Sequence, residues 1–271
     1  MRYGFVFPGG DVHQAVACAE AAEAAGWDGF FVWDAVWGID PWALLGAMAV
    51  RTQRIRLGTM LTPVSRRRPW KLAGETVTVD HLSNGRLILA VGLGAPDTGF
   101  AEFGEVTDRK QRAELLDEGL AIVEGLWRGQ PFEFSGKHYQ VRPSTFPPPP
   151  PPIQQPRIPV WVVGAWPSDK SMARALRWDG LLPNKLNPGA AAGAASADDI
   201  RAMKAYIDER RTAGAPFDIV VEGETPGENP AAARAAIEPF AEAGATWWLE
   251  ARWQAPNLES VFERVRQGPP S

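Results

Sequence analysis

The chain has 271 residues, of which 45% are hydrophobic and 22% are charged, and its formal net charge at pH 7 is -4. This length and apolar content suit one large globular domain or two small ones. The lack of a net positive charge argues against electrostatic binding to nucleic acid or to an anionic membrane. We therefore expect the partner to be a small molecule.

Cysteine content and the N-terminus bear on the cellular compartment. Cys18 is the one cysteine in the sequence, so it cannot form an internal disulfide, and it falls in an Ala-rich helical pattern. The chain enters a strand directly at "MRYGFVFP", and no run of about 18 apolar residues occurs. The sequence predicts an unprocessed cytoplasmic protein.

Apolar strand-like segments alternate with segments of helical period from the first residues onward. "YGFVFP" at 3–8 precedes an Ala-rich helix that Asp11 can cap. "WDGFFVWD" at 27–34, "RIRLGTMLTP" at 54–63 and "RLILAVGLG" at 86–94 each precede a further helix. These segments predict four strand-helix units.

The alternation is interrupted at residues 131–157. "PFEFSGKHYQV" predicts a hairpin that turns at Ser135 and Gly136. "FPPPPPPIQQP" must be extended, because proline fixes φ and has no backbone donor. We interpret this stretch as a hairpin and Pro-rich insertion between the fourth helix and the fifth strand.

The alternation resumes with "IPVWVVGAW" at 158–166, and strand-like segments recur at 180–186, 217–225 and 246–252, each followed by a helical pattern. Eight apolar strands with intervening helices predict a parallel sheet covered by helices. Eight repeats in a chain of this length fit a closed (β/α)₈ barrel, also called a TIM barrel, with residues 1–271 as a single domain. A doubly wound open sheet is the alternative.

The active site of such a barrel lies at the carboxyl ends of its strands. None of the three histidines, His13, His81 and His138, is expected there, so neither a His-based triad nor a metal site is predicted. The predicted strand ends carry these polar, aromatic and glycine residues: Asp34, Trp37, Thr59, Gly92, Gly164, Trp166, Asn184, Lys185, Glu222, Glu224, Glu250 and Arg252.

Two carboxylates on one strand raise the possibility of hydrolysis. Glu222 and Glu224 are two residues apart, so they face the same side of a strand and could serve glycoside hydrolysis. Such pairs normally come from different strands, and a solvated strand end is the alternative interpretation.

Glycines at two strand ends suggest a bound ligand. Gly92 predicts close packing near a flat ligand. Gly164, followed by Ser168, predicts a glycine strand end that meets a helix start, an arrangement that can hold a phosphate. The alternative is that Ser168 simply caps the helix.

Several stretches, in order along residues 1–185, resemble the luciferase-like monooxygenase family. They include "AAEAAGWDGFFVWD", "FEFSGKHYQV" and "PVWVVGAWPSDKSMARALRWDG", and the most specific is "VDHLSNGRLILAVGLG". The resemblance implies a (β/α)₈ barrel and a flavin-type cofactor, FMN or the deazaflavin coenzyme F420. It implies an oxidoreductase that transfers a hydride between the cofactor ring and a small organic substrate, with or without oxygen activation. We also expect a homodimer.

The resemblance also implies residue roles at the strand ends. The residues that would surround the cofactor phosphate are Gly164, Ala165, Trp166, Ser168, Asn184 and Lys185. The residues along the cofactor ring would be Thr59 and Met60. Trp33 and Trp37, with Trp166, would form apolar walls suited to an uncharged or aromatic substrate. The anionic tail of F420 would favour basic residues such as Lys185 or the run at 66–68.

The chain departs from the family pattern in its proton chemistry. Many members have Asp-His at the end of the second strand, where this chain has Asp34 and Ala35. Asp34 could do the proton work alone, or Glu222 or Arg252 could have taken it over. A barrel that binds flavin without turnover is a further alternative, and a cofactor-free hydrolase that uses Glu222 and Glu250 is the last.

Overall fold

The computed structural model describes residues 1–187, 193–212 and 216–270. The strands in these ranges are β1 (Arg2–Phe7), β2 (Gly29–Val32), β3 (Arg56–Thr59), β4 (Thr62–Pro63), β5 (Leu87–Gly92), β6 (Phe134–Ser135), β7 (Gln140–Val141), β8 (Val160–Trp166), β9 (Gly180–Lys185), β10 (Asp218–Gly223) and β11 (Trp247–Ala251). The α-helices are α1 (Val12–Ala24), α2 (Pro41–Arg51), α3 (Pro69–Leu82), α4 (Arg109–Trp127), α5 (Asp169–Ala175), α6 (Ala197–Arg210), α7 (Pro230–Glu242) and α8 (Leu258–Arg266).

The sheet closes into a barrel of parallel strands. Its strands follow the order β3, β2, β1, β11, β10, β9, β8 and β5, and β5 pairs with β3 again through Leu57 and Leu87. The two-residue strand β4 pairs alongside β5. The predicted (β/α)₈ barrel is confirmed. Over the described residues, no helix has the length and apolar character needed to cross a bilayer.

The first helix shows how the sequence sets the element boundaries. The Asp11 carboxylate accepts hydrogen bonds from the backbone N–H groups of His13 and Gln14, and the Gln14 side chain accepts one from the Asp11 N–H. After the helix, Gly26 has a φ of 89°, a left-handed conformation that glycine adopts readily. The caps expected from the sequence therefore form.

Side chains of the barrel strands divide between two buried layers. On β2, Phe30 packs against the helices, whereas Phe31 packs inside the barrel. Inside, the ring of Trp161 lies 5.4 Å from that of Phe31 and 5.2 Å from that of Trp247, measured between centroids. These large rings fill the barrel interior below its carboxyl end, which leaves that end for a ligand.

The hairpin in the insertion turns later than the sequence predicted. Strands β6 and β7 pair Ser135 with Gln140, so the turn spans 136–139 rather than Ser135 and Gly136. The Glu118 carboxylate on α4 accepts hydrogen bonds from the backbone N–H groups of residues 137–139, at 2.8 to 3.0 Å. One carboxylate that is distant in sequence therefore accepts hydrogen bonds from three backbone N–H groups of the turn. A local sequence pattern does not indicate such a partner.

The Pro-rich segment is anchored to the barrel by a buried carboxylate. Asp80, near the end of α3, is fully buried. Its oxygens accept hydrogen bonds from the Ile153 N–H at 2.7 Å and from the Gln154 side-chain amide at 2.8 Å, with a longer bond from the Gln154 N–H at 3.3 Å. The Pro-rich segment is therefore held against α3 by these hydrogen bonds.

The Asp80 anchor makes a stability prediction. Replacing Asp80 by Ala should leave the donors of residues 153 and 154 without their acceptor. Because an unpaired buried donor costs about 1–3 kcal/mol, we expect the free energy of unfolding in urea to fall by about 2–4 kcal/mol. In Asp208→Ala, which removes an exposed pair with Lys204, the change should stay within about 0.5 kcal/mol. Equal stability of the two variants would contradict the anchoring role.

Candidate active site

A cavity of about 1200 Å³ opens at the carboxyl ends of the barrel strands. Ligand pockets in proteins commonly measure about 300–1,000 Å³, so this cavity has room for a large ligand and a second small molecule. Its lining comes from the ends of the strands, from the loops after them and from the first turns of α4 and α5.

The floor of the cavity is apolar and built from inward-facing strand residues. Met60, Leu61, Gly92, Val163 and Ala165 line it. A Cβ atom on Gly92 would lie 2.9 Å from Val163 Cγ2 and 3.0 Å from Leu61 Cδ2, so a larger residue would displace its neighbours. The structure thus brings the predicted Met60, Gly92 and Ala165 together on a surface suited to a flat ligand.

One side of the cavity is basic. Arg109, Lys110 and Arg112 come from the first turn of α4, and Lys170 comes from α5. Across the described ranges, none of these four cations forms an ion pair with a carboxylate, and the Nε atom of Arg112 is buried without a hydrogen-bond partner. Sequence reasoning missed this group because it considered strand ends, although the charged run "DRKQR" at 108–112 is a visible signal.

The opposite side of the cavity is aromatic. Pro8, Trp33 and Trp253 line it, and they follow β1, β2 and β11. In the closed strand order, β1 and β11 lie three or four strands away from β8 and β5, the strands that precede the basic helix starts, and β2 lies two strands away from β5. Trp33 and Trp253 are 44% and 39% exposed, so their rings are available to a ligand. The cavity therefore has a basic side and an aromatic side.

Asp34 lies at the cavity wall but is held by two arginines. Its side chain is buried, and Oδ1 accepts hydrogen bonds at 3.0 Å from both Arg66 and Arg67. Oδ2 accepts a longer bond from Arg67 Nε, and Arg66 also donates to the carbonyl oxygens of Asp34 and Ala35. These hydrogen bonds fix the turn after β2. They also engage Arg66 and Arg67, two of the basic residues predicted from the sequence to favour the anionic tail of F420.

Phe100 links the turn after β2 to the basic side of the cavity. Its ring is buried and lines the cavity. The guanidinium carbons of Arg66 and Arg112 lie 5.3 and 5.6 Å from the ring centroid, within the range of cation–π attraction. Arg112 also donates hydrogen bonds to the carbonyl oxygens of Leu93 and Gly94. The loops after β2, β4 and β5 are thereby tied to one another.

Glu222, one of the predicted proton-handling residues, lies near the end of β10 on the inner face of the barrel wall, but it is not among the residues that line the cavity. The neighbouring inward residue Val220 packs inside the barrel. Glu222 Oε1 accepts a hydrogen bond of 2.6 Å from Trp253 Nε1. Burial raises the pKa of the Glu222 carboxyl above its usual range, and the bond from Trp253 offsets part of this rise.

Two residues expected at a phosphate site face the helices instead. Lys185 donates a hydrogen bond of 2.8 Å to Asp199 on α6, and the Trp166 ring packs edge-on against Tyr206 of the same helix. Neither residue lines the cavity. Their neighbours Ala165 and Asn184, one position earlier on β8 and β9, do line it, because successive residues of a strand point to opposite faces.

Because of the same alternation of side chains along a strand, Thr59 and Gly164 also face away from the cavity. The Thr59 hydroxyl is buried, donates to the Ala90 carbonyl oxygen and accepts a hydrogen bond from Thr62. A Cβ atom on Gly164 would lie 2.9 Å from the Met172 sulfur, so this glycine permits α5 to approach β8. Neither residue lines the cavity.

Ser168 both caps α5 and lines the cavity. Its side chain accepts a hydrogen bond from the Ser171 N–H. This is the helix cap that the sequence indicates as the alternative role of Ser168. The Ser171 hydroxyl in turn accepts a hydrogen bond from the Ala165 N–H at 2.9 Å. The turn after β8 is thus fixed next to Lys170 on the basic side.

Trp37 and Arg252 lie outside the cavity lining. Trp37 is 83% exposed, and its ring stacks on Phe103 with centroids 6.4 Å apart. Arg252 Nε lies 3.6 Å from Glu224 Oε2. Neither residue is among those that line the cavity.

The structure does not form the carboxylate pair needed for a hydrolase. Glu250 is fully buried on the outer side of the barrel wall, where it accepts hydrogen bonds from the Thr225 N–H and hydroxyl and pairs with Arg264. Glu222 faces inward, so the two carboxylates cannot flank one bond. Within the ranges that the structure describes, no three His, Cys, Asp or Glu side chains converge as metal ligands would.

The sequence matches the luciferase-like monooxygenase family over residues 4–265. It is 36% identical over 136 residues to the F420-dependent glucose-6-phosphate dehydrogenase of Amycolatopsis mediterranei (strain U-32), a match that covers 48% of this chain and 41% of that one. It is 31% identical over 134 residues to the oxygenase component of the flavin-dependent trigonelline monooxygenase of Acinetobacter baylyi (strain ATCC 33305 / BD413 / ADP1), covering 49% and 36%. The matched segments span less than half of either relative.

The fold is also similar to that of solved structures. The coenzyme F420-dependent tetrahydromethanopterin reductase from Methanopyrus kandleri superposes with a TM-score of 0.78, covering 98% of this chain and 97% of that one at 18% identity. At this identity the likeness shows the fold alone. The sequence match extends over nearly the whole chain, and it confirms the resemblance expected from the motifs. This chain belongs to the luciferase-like monooxygenase family.

Proposed function

We propose that this protein is an oxidoreductase that binds FMN or coenzyme F420 in the cavity and transfers a hydride between the cofactor ring and a small organic substrate. The observation that carries the proposal is the polarity of the cavity, with unpaired cations on one side, an apolar floor and aromatic rings on the other. The dependence of the two sequence relatives on F420 and on flavin supports it.

The residues present fit a cofactor with a flat ring and an anionic tail. Met60, Gly92 and Ala165 would hold the ring, because the floor to which they contribute is apolar. Lys110 and Lys170 would hold the phosphate, since each ammonium group is free of a carboxylate partner among the described residues. The bound cofactor would supply the hydride chemistry, and the protein would supply binding, orientation and exclusion of water.

The substrate would occupy the aromatic side. Trp33 and Trp253 offer partly exposed rings there, and Pro8 adds an apolar surface. Aromatic rings favour stacking or edge contacts with planar groups. This side therefore suits an uncharged or aromatic substrate, reached through the same mouth as the cofactor.

Titration of the apo-protein with each cofactor tests the proposal. Bound FMN or F420 should show a shifted absorbance spectrum and altered fluorescence, and one of the two should bind more tightly. The bound cofactor should then turn over with a reductant and an acceptor. Binding without any turnover would support the alternative of a non-catalytic flavin-binding barrel. Failure to bind either cofactor would contradict the proposal.

The basic side makes a prediction about affinity. The double variant Lys110→Ala, Lys170→Ala should bind the preferred cofactor about tenfold more weakly, a loss of about 1.4 kcal/mol. The loss should shrink in high salt, because exposed charges are screened. Fluorescence titration at two salt concentrations measures both effects.

The comparison variants are lysines of α6 and β9. Lys204→Ala, which removes an exposed cation paired with Asp208, should leave the dissociation constant unchanged. Lys185→Ala should also retain affinity, because this ammonium group pairs with Asp199. A loss confined to Lys185→Ala would instead assign the phosphate to the end of β9, as the family resemblance suggested.

We further propose a cytoplasmic homodimer as the working form of the protein. Light scattering coupled to size-exclusion chromatography measures its mass directly. A mass of twice the 29.5 kDa chain would support the dimer, and a mass of one chain would contradict it.

A further inference from the structure

Glu222 is an inward-facing carboxyl group at the carboxyl end of β10. Val220 lies on the inner face of this strand, and Ile219 and Val221 pack outward against the helices. Because side chains alternate along a strand, Glu222 points to the inner face. Its outward neighbours on the adjacent strands, such as Glu250, are separated from it by the barrel wall.

Glu222 contacts the cavity lining through one residue, whereas its paired neighbour in the sheet, Leu249 of β11, packs inside the barrel. Trp253 Nε1 donates a hydrogen bond to Glu222 Oε1. The second oxygen, Oε2, accepts no hydrogen bond from the described part of the chain and is open to a ligand.

The other residues offered by the sequence for proton transfer are already engaged. Both oxygens of Asp34 accept hydrogen bonds from Arg66 or Arg67, so this carboxylate is engaged in fixing the turn after β2. Arg252 lies outside the cavity lining, and a guanidinium group does not lose its proton in proteins. Of these candidates, Glu222 combines an oxygen that accepts no hydrogen bond among the described residues with a hydrogen bond to a residue that lines the cavity, Trp253.

We propose that Glu222 is the acid–base residue of this site and that Trp253 positions its carboxyl group. The inference rests on the proposed oxidoreductase function. When a carbonyl substrate is reduced, Glu222 Oε2 gives its proton to the carbonyl oxygen, while the reduced flavin or deazaflavin supplies the hydride that forms the new C–H bond. When the alcohol is oxidised, its O–H bond breaks and the Glu222 carboxylate takes that proton, while the hydride leaves the same carbon for the oxidised cofactor.

The surroundings of Glu222 favour this role. Burial raises the pKa of its carboxyl, so it keeps a proton to higher pH than an exposed glutamate, whose pKa is about 4.3. Charged groups on the packed elements point elsewhere: Lys185 of β9 pairs with Asp199, and Glu250 of β11 pairs with Arg264. Glu224 on the same strand lies near Arg252. The rate of carbonyl reduction should therefore fall as pH rises through the raised pKa.

The protonation of Glu222 can be measured without cofactor. Infrared spectra of the parent protein across pH should show a protonated carboxyl band that persists above about pH 4.3 and is missing from Glu222→Gln. In Trp253→Phe the midpoint should move upward, because the lost hydrogen bond favours the carboxylate. Glu224→Gln, an exposed carboxylate two residues away, should leave this band unchanged. A Glu222 band that disappears with the ordinary glutamates would overturn the inference.

Single-turnover kinetics test the chemistry. Protein loaded with reduced cofactor is mixed with a panel of an aldehyde, a ketone and an enone. Where the bound cofactor is FMN, it is also mixed with ferricyanide, which takes single electrons without a proton from the protein. Glu222→Gln should slow reduction of the best carbonyl probe by about 100-fold or more and remove its pH dependence, with the ferricyanide rate retained. Glu224→Gln should react as the parent does.

The outcomes separate the two proposals. A parent protein that binds neither cofactor would overturn the proposed function and this inference with it. A parent protein that binds cofactor and reacts with ferricyanide but reduces no carbonyl, or a Glu222→Gln variant that reduces carbonyls at the parent rate, would overturn this inference alone.

Discussion

Side chains along each barrel strand alternate between two environments, the barrel interior and the layer between strands and helices, and this constraint decides what the cavity contains. A residue at a strand end reaches the cavity only if it faces inward. Met60, Ala165 and Asn184 do so, and Lys185 is directed to Asp199 by the same rule. Below the cavity, large rings such as that of Trp161 fill the interior, so the space for ligands is confined to the carboxyl end.

The charged and aromatic lining of the cavity comes largely from loops that the barrel brings together. The Asp34 carboxylate holds Arg66 and Arg67, and Arg66 reaches the Phe100 ring. The carbonyl oxygen of the next residue, Ala35, accepts a further hydrogen bond from Arg66. Asp34 is therefore a structural anchor of the turn after β2. In the proposed mechanism, proton transfer falls to Glu222 on β10, whose pKa is raised by burial.

The sequence predicted the barrel well, because each apolar strand and each capped helix carries a local signal, as the Asp11 capping box illustrates. It predicted the rim of the barrel as the site and placed Asp34 there. It could not predict which strand-end residues face inward, since a shift of one residue in the strand end exchanges Gly164 for Ala165. It also could not predict partners distant in sequence, such as Asp199 for Lys185. The rule that places the site of a barrel at its strand ends does not indicate the basic first turns of α4 and α5.

The central claim is that one side of the cavity holds the anionic end of a flavin-type cofactor and the opposite side holds the substrate. A crystal structure of the protein with bound FMN or F420 tests this claim most directly. We predict a phosphate in contact with Lys110 or Lys170, a ring against Met60 and Gly92, and open space beside Trp33 and Trp253. A phosphate seated instead between Lys185 and Asp199, or a ring bound outside the cavity, would contradict the account.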